Sequence, residues 1–106
     1  MESLTLVLLR RPANPPALPE DEQDRIQKAH LTFLDHQRKA GIIAAAGPFR
    51  DRTDETLRGL CIYRTNLTQA HHHAATDPAV QAGLLQATPI TWWFREGEVH
   101  LAGYDK

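Results

Sequence analysis

The chain has 106 residues, of which 42% are hydrophobic and 24% are charged, and its formal net charge is -1. This length and composition predict one folded domain over residues 1–106 and exclude a disordered chain. A net charge so close to zero gives no general attraction to nucleic acid or to an anionic membrane, so we expect neither as a partner. The adjacent Arg10 and Arg11 form one basic pair, which is typical of a strand end that faces water.

The start of the chain and its cysteine content predict a cytoplasmic protein. The first apolar run, at residues 4–9, is far too short for a signal-peptide core or a membrane-spanning helix. Cys61 is the single cysteine, which excludes an intrachain disulfide and fits a reducing compartment. Its strand-like neighbours Leu60 and Ile62 predict a small buried side chain there, not a nucleophile.

The first quarter of the chain reads as a strand followed by a stiff loop. Residues 4–9 are apolar on both alternating faces, which predicts a strand covered on both sides. Four prolines between residues 10 and 19 exclude a central strand or a helix interior there. A loop of that length is often a binding element. Pro19 and the acidic residues at 20, 21, 22 and 24 are typical of the start of a helix.

The stretch from Ile26 to Phe49 predicts a helix, a stop and a buried strand. At about 100° per residue, one arc of roughly 140° holds the apolar positions of the helix and also a histidine: Ile26, Ala29, His30, Phe33, Leu34 and Ala40. Gly41 follows as a left-handed cap would, and residues 42–46 form an apolar run that ends at Gly47 and Pro48.

The second half of the chain repeats the alternation of strands and helices. A polar connection at residues 50–55 predicts a hairpin with a strand at 57–65. Asn66 suits the cap of a second helix through Thr76, and Asp77 followed by Pro78 suits a short helical turn closed by Gly83. A last strand follows at residues 88–95, and the region 95–106 could add an edge strand at Glu98–Ala102.

This order of elements predicts an α+β fold of the ferredoxin-like βαββαβ plan, an antiparallel sheet with both helices on one face. The opposite face would then be open, yet bulky apolar residues alternate onto both faces. The apolar area of such an open face exceeds the area of the apolar patches that soluble monomers usually expose. We therefore expect a homodimer joined through the sheet face, with a cavity where the sheet and the helices diverge.

His30 has two interpretations. It is either a core histidine whose ring nitrogens bond backbone carbonyls or water, or a general base or acid beside a cavity, because imidazole titrates near physiological pH. The second role needs an orienting partner, for which Asp77 is the candidate. Asp77 has an equally simple interpretation as a helix cap.

The three successive histidines at 71–73 suggest a metal site that their geometry does not favour. On a helix they point about 100° apart, so they cannot converge on one ion as residues at i and i+4 can. We expect His71 on the apolar face of the second helix and no metal ligands. The sequence contains no phosphate-binding glycine loop and no nucleophile elbow, and we expect no cofactor.

Two sequence blocks resemble the YCII-like (YciI-related) family. The first is AHLTFLDHQRKAGIIAAAGPF at residues 29–49, with its His-Leu pair, its glycine after the helix and its strand into Ala-Gly-Pro. The second is TDPAVQAGL at residues 76–84, which is similar to that family's Asp-Pro-x-Val-x-x-Gly segment. The resemblance covers nearly the whole chain.

The resemblance implies a ferredoxin-like fold of the dimeric α/β barrel type and a His-Asp pair in a cleft, here His30 and Asp77. It also implies proton-transfer chemistry such as dehydrochlorination of an aromatic ring compound. The family commonly has Arg-Pro before the Ala-His, where this chain has Gln27 and Lys28. Lys28 or Arg25 would then be the cation for an anionic substrate.

Two functions follow from this sequence. The first is a small-molecule enzyme of lyase or isomerase type in which His30 moves a proton on a carbonyl or hydroxy-aromatic substrate and Asp77 holds its tautomer. Tyr63 and Trp92 would wall the substrate. The second is a non-catalytic homodimeric ligand-binding or accessory protein in which His30 and Asp77 form a structural pair.

Overall fold

The computed structural model describes residues 1–101. It contains four strands and three helices, in the following order: β1 Glu2–Arg10, α1 Glu20–Lys39, β2 Ile43–Pro48, β3 Leu57–Tyr63, α2 Leu67–Ala75, α3 Pro78–Gln81 and β4 Gln86–Phe94. The strands form one sheet in the order β2-β3-β1-β4, and all neighbours are antiparallel. This confirms the predicted α+β, ferredoxin-like fold. No helix within residues 1–101 is both long and apolar enough to cross a membrane.

The helix boundaries lie where the local sequence predicts them. Gly41 follows α1 with a φ of +76°, a left-handed conformation that glycine adopts without steric cost. Asn66 and Gln69 form a reciprocal capping box at the start of α2. Asp77 caps α3 by accepting a hydrogen bond from the Ala79 N–H, and Pro78 occupies the first helical position, where its missing N–H is not needed.

Both long helices cover the same face of the sheet. Every second residue of β1 and β3 points to this face, including Val7, Leu9, Cys61 and Tyr63. Ile43 of β2, Leu34 of α1 and the small residues Ala70 and Ala74 of α2 complete the core cluster. The two alanines have exposed fractions of 0% and 3%, because their short side chains bring α2 close to the sheet.

The other face of the sheet carries apolar side chains without a helix over them. The register pairs Leu6 with Ile62 and with Ile90, and Leu4 with Trp92, so these residues share that face. Ile90 and Trp92 remain 43% and 37% exposed. Within the part of the chain that the structure describes, this open face is therefore an apolar surface that contacts water.

Two details of the second half differ from prediction. His73, not His71, lies toward the sheet, where its ring stacks on Tyr63 at a centroid distance of 6.3 Å, while His71 is exposed. The buried stripe of α2 is centred on Ala70 and Ala74, and His73 lies beside that stripe.

The added strand expected at Glu98–Ala102 is not formed by residues 98–101, and Ala102 lies outside the described residues. The turn before it does form, with Gly97 at a φ of +80°. The Gly97 N–H donates to Glu2 Oε2 at 3.2 Å, which ties this turn to the start of β1 instead of extending it along the free edge of β4.

Candidate active site

His30 and Asp77 come together in the folded chain although 47 residues separate them. His30 lies on the buried stripe of α1, one turn from Ile26 and one turn from Leu34. Asp77 lies at the cap of α3, and α1 packs against that short helix. The two side chains are 8% and 2% exposed, and His30 Nδ1 lies 2.7 Å from Asp77 Oδ2.

The carboxylate of Asp77 is fixed at both of its oxygens. Oδ2 contacts His30, and Oδ1 accepts a hydrogen bond of 2.9 Å from the Ala79 N–H. An ionised carboxylate only accepts hydrogen bonds, so His30 Nδ1 is the donor and carries a proton. In the neutral ring, Nε2 then has a free lone pair. Nε2 has no hydrogen-bond partner within residues 1–101.

A cavity of 550 Å³ borders the His30 ring. It lies between α1, the proline-rich loop, the ends of β2 and β3, and the segment that leads into β4. Its apolar lining includes Pro15, Pro16, Ile26, Leu34, Leu84 and Leu85. This volume is in the range of small-molecule sites. Pro15 and Pro16 place the proline-rich loop on the cavity wall.

Cys61 also borders this cavity, but its chemistry there is that of an inert thiol. Its side chain is 2% exposed. Burial, together with the charge of Asp77, raises the pKa of Cys61 to about 12, while the charge of Arg38 acts in the opposite direction. The thiol is protonated at neutral pH, so it is not the nucleophile of the site.

Comparison with known proteins identifies the family. The sequence profile described as "YCII-related domain" matches residues 5–94. The chain belongs to this family. The resemblance seen in the two sequence blocks is thereby confirmed. A search of curated proteins finds no match to this YCII-related chain.

One solved structure that resembles this YCII-related protein is the 5-chloro-2-hydroxyhydroquinone dehydrochlorinase from Burkholderia phenoliruptrix AC1100, in complex with 2,5-dihydroxybenzoquinone. The TM-score is 0.55, and the similarity covers 90% of this chain and 96% of that one. The two sequences are 23% identical, so the comparison shows a shared fold.

Four side chains that the sequence suggested for substrate contact do not line the cavity of this YCII-related protein. Arg25 and Lys28 are exposed on α1, and Arg25 is paired with Glu22. Tyr63 is 1% exposed in the core beside His73, because α2 covers that end of β3. Trp92 lies on the open sheet face, since strand alternation turns it away from the helices.

The charged residues among those that line the cavity are Arg11, Asp24, Arg38 and Arg58. Sequence reasoning missed the three arginines in this role because each comes from a different element. Arg11 follows β1, Arg38 lies in the last turn of α1, and Arg58 lies on β3. One feature of the sequence could have pointed to Arg11: it lies at the start of the proline-rich loop.

The histidine run is not arranged as a metal site. His71 and His72 are exposed, and His73 stacks on Tyr63. Within residues 1–101, no group of three His, Cys, Asp or Glu side chains is placed to hold a metal ion.

Proposed function

We propose that this YCII-related protein is a small-molecule enzyme of lyase or isomerase type, in which His30 transfers a proton on a carbonyl or hydroxy-aromatic substrate. The observation that carries this proposal is the buried pair of His30 and Asp77, in which His30 also lines a cavity of small-molecule size. A histidine that serves packing alone has both ring nitrogens bonded or enclosed.

The geometry gives each residue of the pair a separate task. His30 Nε2 accepts a proton from a C–H or O–H group of the bound substrate and returns it to another atom or to water. Asp77 keeps Nδ1 protonated, which leaves Nε2 as the basic nitrogen, and it stabilises the imidazolium that forms. The Ala79 N–H holds the carboxylate in place, so the pair is aligned before the substrate binds.

The relative of similar fold supports the reaction class. Its described activity is dehydrochlorination, which removes a proton and a chloride ion from a hydroxylated ring. Such a reaction needs a group that accepts the proton as chloride leaves. His30 Nε2 is the group in this chain that meets the requirement.

We also propose that the protein is a homodimer joined through its open sheet face. The exposed fractions of Ile90 and Trp92 support this, since apolar side chains of that size are usually covered by a partner. The cytoplasmic location expected from the sequence stays part of this proposal.

The decisive experiment compares two histidine substitutions on the same helix. His30→Gln removes the proposed base, whereas His36→Gln replaces an exposed histidine of α1. Turnover of 5-chloro-2-hydroxyhydroquinone would be followed anaerobically by chloride release, and a panel of cyclic ketones and phenols would be screened for hydrogen–deuterium exchange at carbon. We expect His30→Gln to lower the rate by about 10²–10⁴ and His36→Gln to leave it unchanged.

The same assay separates the enzyme from a ligand-binding protein. Compounds that bind in the cavity but show neither turnover nor exchange, with wild-type protein and His30→Gln alike, would support the non-catalytic alternative. Equal rates for wild-type protein and His30→Gln would contradict the assigned role of His30.

A further inference from the structure

The cavity beside His30 carries an excess of positive charge. Arg11, Arg38 and Arg58 line it, together with a single carboxylate, Asp24. None of the three guanidinium groups forms an ion pair within residues 1–101. Three other arginines, Arg10, Arg25 and Arg52, each pair with a carboxylate.

The backbone holds two of the three arginines at neighbouring positions. The Arg11 N–H donates to the Thr56 carbonyl at 2.7 Å, and the Phe49 N–H donates to the Arg58 carbonyl at 2.9 Å. Arg11 and Arg58 therefore start from hydrogen-bonded backbone at one end of the two central strands, β1 and β3.

Arg38 approaches the same cavity from the helix. It lies eight residues after His30 on α1, which is about 12 Å along the helix axis at 1.5 Å per residue. Both residues line the cavity, so it extends from the proton-transfer end at His30 toward a cationic end.

An anion bound between guanidinium groups compensates the repulsion between their like charges. Guanidinium groups bind carboxylates through two parallel hydrogen bonds, which fixes the orientation of the bound molecule. The remaining lining is largely apolar, and it suits a ring or a short carbon chain. The cavity thus has a reactive end, an apolar middle and an anion-binding end.

We propose that the substrate of this site is a small organic acid with an apolar body, whose carboxylate is bound by Arg11, Arg38 and Arg58 while its reacting atom faces His30. This inference rests on the proposed function and adds the substrate class to it. The arginine cluster acts in binding and orientation, and His30 acts in proton transfer.

The test measures binding and needs no turnover. Calorimetric titration of the full chain with 4-hydroxybenzoate and with 4-hydroxybenzamide compares a carboxylate with its uncharged analogue of the same shape. We expect the acid to bind at least about tenfold more tightly, because hydrogen bonds to a charged group are the stronger ones. Equal affinity for the acid and the amide would overturn the proposal.

Substitutions then locate the anion-binding end. Arg38→Gln and Arg58→Gln should each weaken acid binding about tenfold or more and leave amide binding unchanged, and Arg38→Lys should recover part of the loss. Arg25→Gln, which lies outside the cavity, is the matched control and should bind both compounds as wild type does. Unchanged acid binding in both cavity variants, with far-UV circular dichroism showing that they are folded, would place the anion elsewhere and refute the assignment.

Two further measurements test the substrate class and separate it from the proposed role of His30. Inorganic phosphate should compete only weakly with 4-hydroxybenzoate. If phosphate binds more tightly than the carboxylate does, the substrate class would be a phosphate ester, and the proposal of an organic acid would be overturned. His30→Gln should keep the preference for the acid over the amide. A catalytic failure of His30 and a failure of the arginine cluster are therefore distinguishable, because the first changes rates and the second changes affinity.

Discussion

Asp77 joins His30 to the first turn of α3, with one carboxylate oxygen on each. Oδ2 lies 2.7 Å from His30 Nδ1, and Oδ1 lies 2.9 Å from the Ala79 nitrogen. The residue is both a helix cap and the partner of the histidine, so the two interpretations that the sequence left open are both correct for its contacts. Different substitutions of Asp77 therefore test its contact with His30 and its cap of α3 separately.

The first prediction concerns the tautomer of His30. Asp77→Asn keeps the oxygen that caps α3 but offers an amide N–H to Nδ1, which favours the tautomer protonated at Nε2. We expect the imidazole ¹⁵N shifts of His30 to exchange between the two ring nitrogens at neutral pH and turnover to fall by about 10² or more. His36, exposed on the same helix, is the internal reference. A His30 spectrum identical to that of wild type would contradict the proposed role of Asp77.

The second prediction concerns stability. Asp77→Ala removes the cap and also leaves His30 buried without its partner, so we expect a loss of about 2–4 kcal/mol in the free energy of unfolding. Asn66→Ala removes the capping side chain of α2, which has no buried partner, and should cost about 1 kcal/mol. Urea unfolding of both variants measures the difference. Equal losses would mean that the contact with His30 adds nothing to stability.

The third prediction concerns alkaline pH. Burial raises the pKa of Cys61 from 9.0 to about 12, so the unfolded chain releases this proton first. Stability from this group is complete below about pH 9 and decreases as the pH rises from about 9 to 12. Burial raises the pKa of Tyr63 as well, which adds to the same loss above pH 10.

The measurement is urea unfolding at several pH values between 8 and 11, with Cys61→Ala as the control. The variant should be less stable at pH 8, because it leaves a small cavity, and its stability should fall less steeply above pH 9. In the folded wild-type protein at pH 8, Cys61 should also react slowly with a disulfide reagent. Rapid labelling without unfolding would show that the thiol is accessible and ionised.

The fourth prediction concerns the open sheet face. Trp92→Asp places a charge on the open sheet face, whereas Trp93→Asp changes the next residue, which alternation directs to the other side and which is 70% exposed. We expect wild-type protein and Trp93→Asp to sediment as dimers and Trp92→Asp to sediment as a monomer. A wild-type protein that sediments as a monomer at all concentrations would refute the dimer.

The sequence predicted the fold because its signals are local. Gly41 marked the end of α1, the Asn66 cap marked the start of α2, and strand alternation in β1 gave the two faces of the sheet. His30 was recognisable because a titratable residue interrupted an apolar stripe. The face of α2 was less predictable, since three successive histidines and several alanines give a weak periodic signal, and His73 rather than His71 lies toward the sheet.

The sequence alone specified the order of elements, the buried stripe that contains His30 and the cap at Asp77. Each of these features depends on residues within a few positions of each other. Only the tertiary structure showed that Asp77 meets His30 and that Arg11, Arg38 and Arg58 are among the residues that line one cavity. Those contacts depend on how α1 packs against α3 and on the register of β1 with β3. A distance in space between residues 47 positions apart follows from packing, which no local pattern encodes.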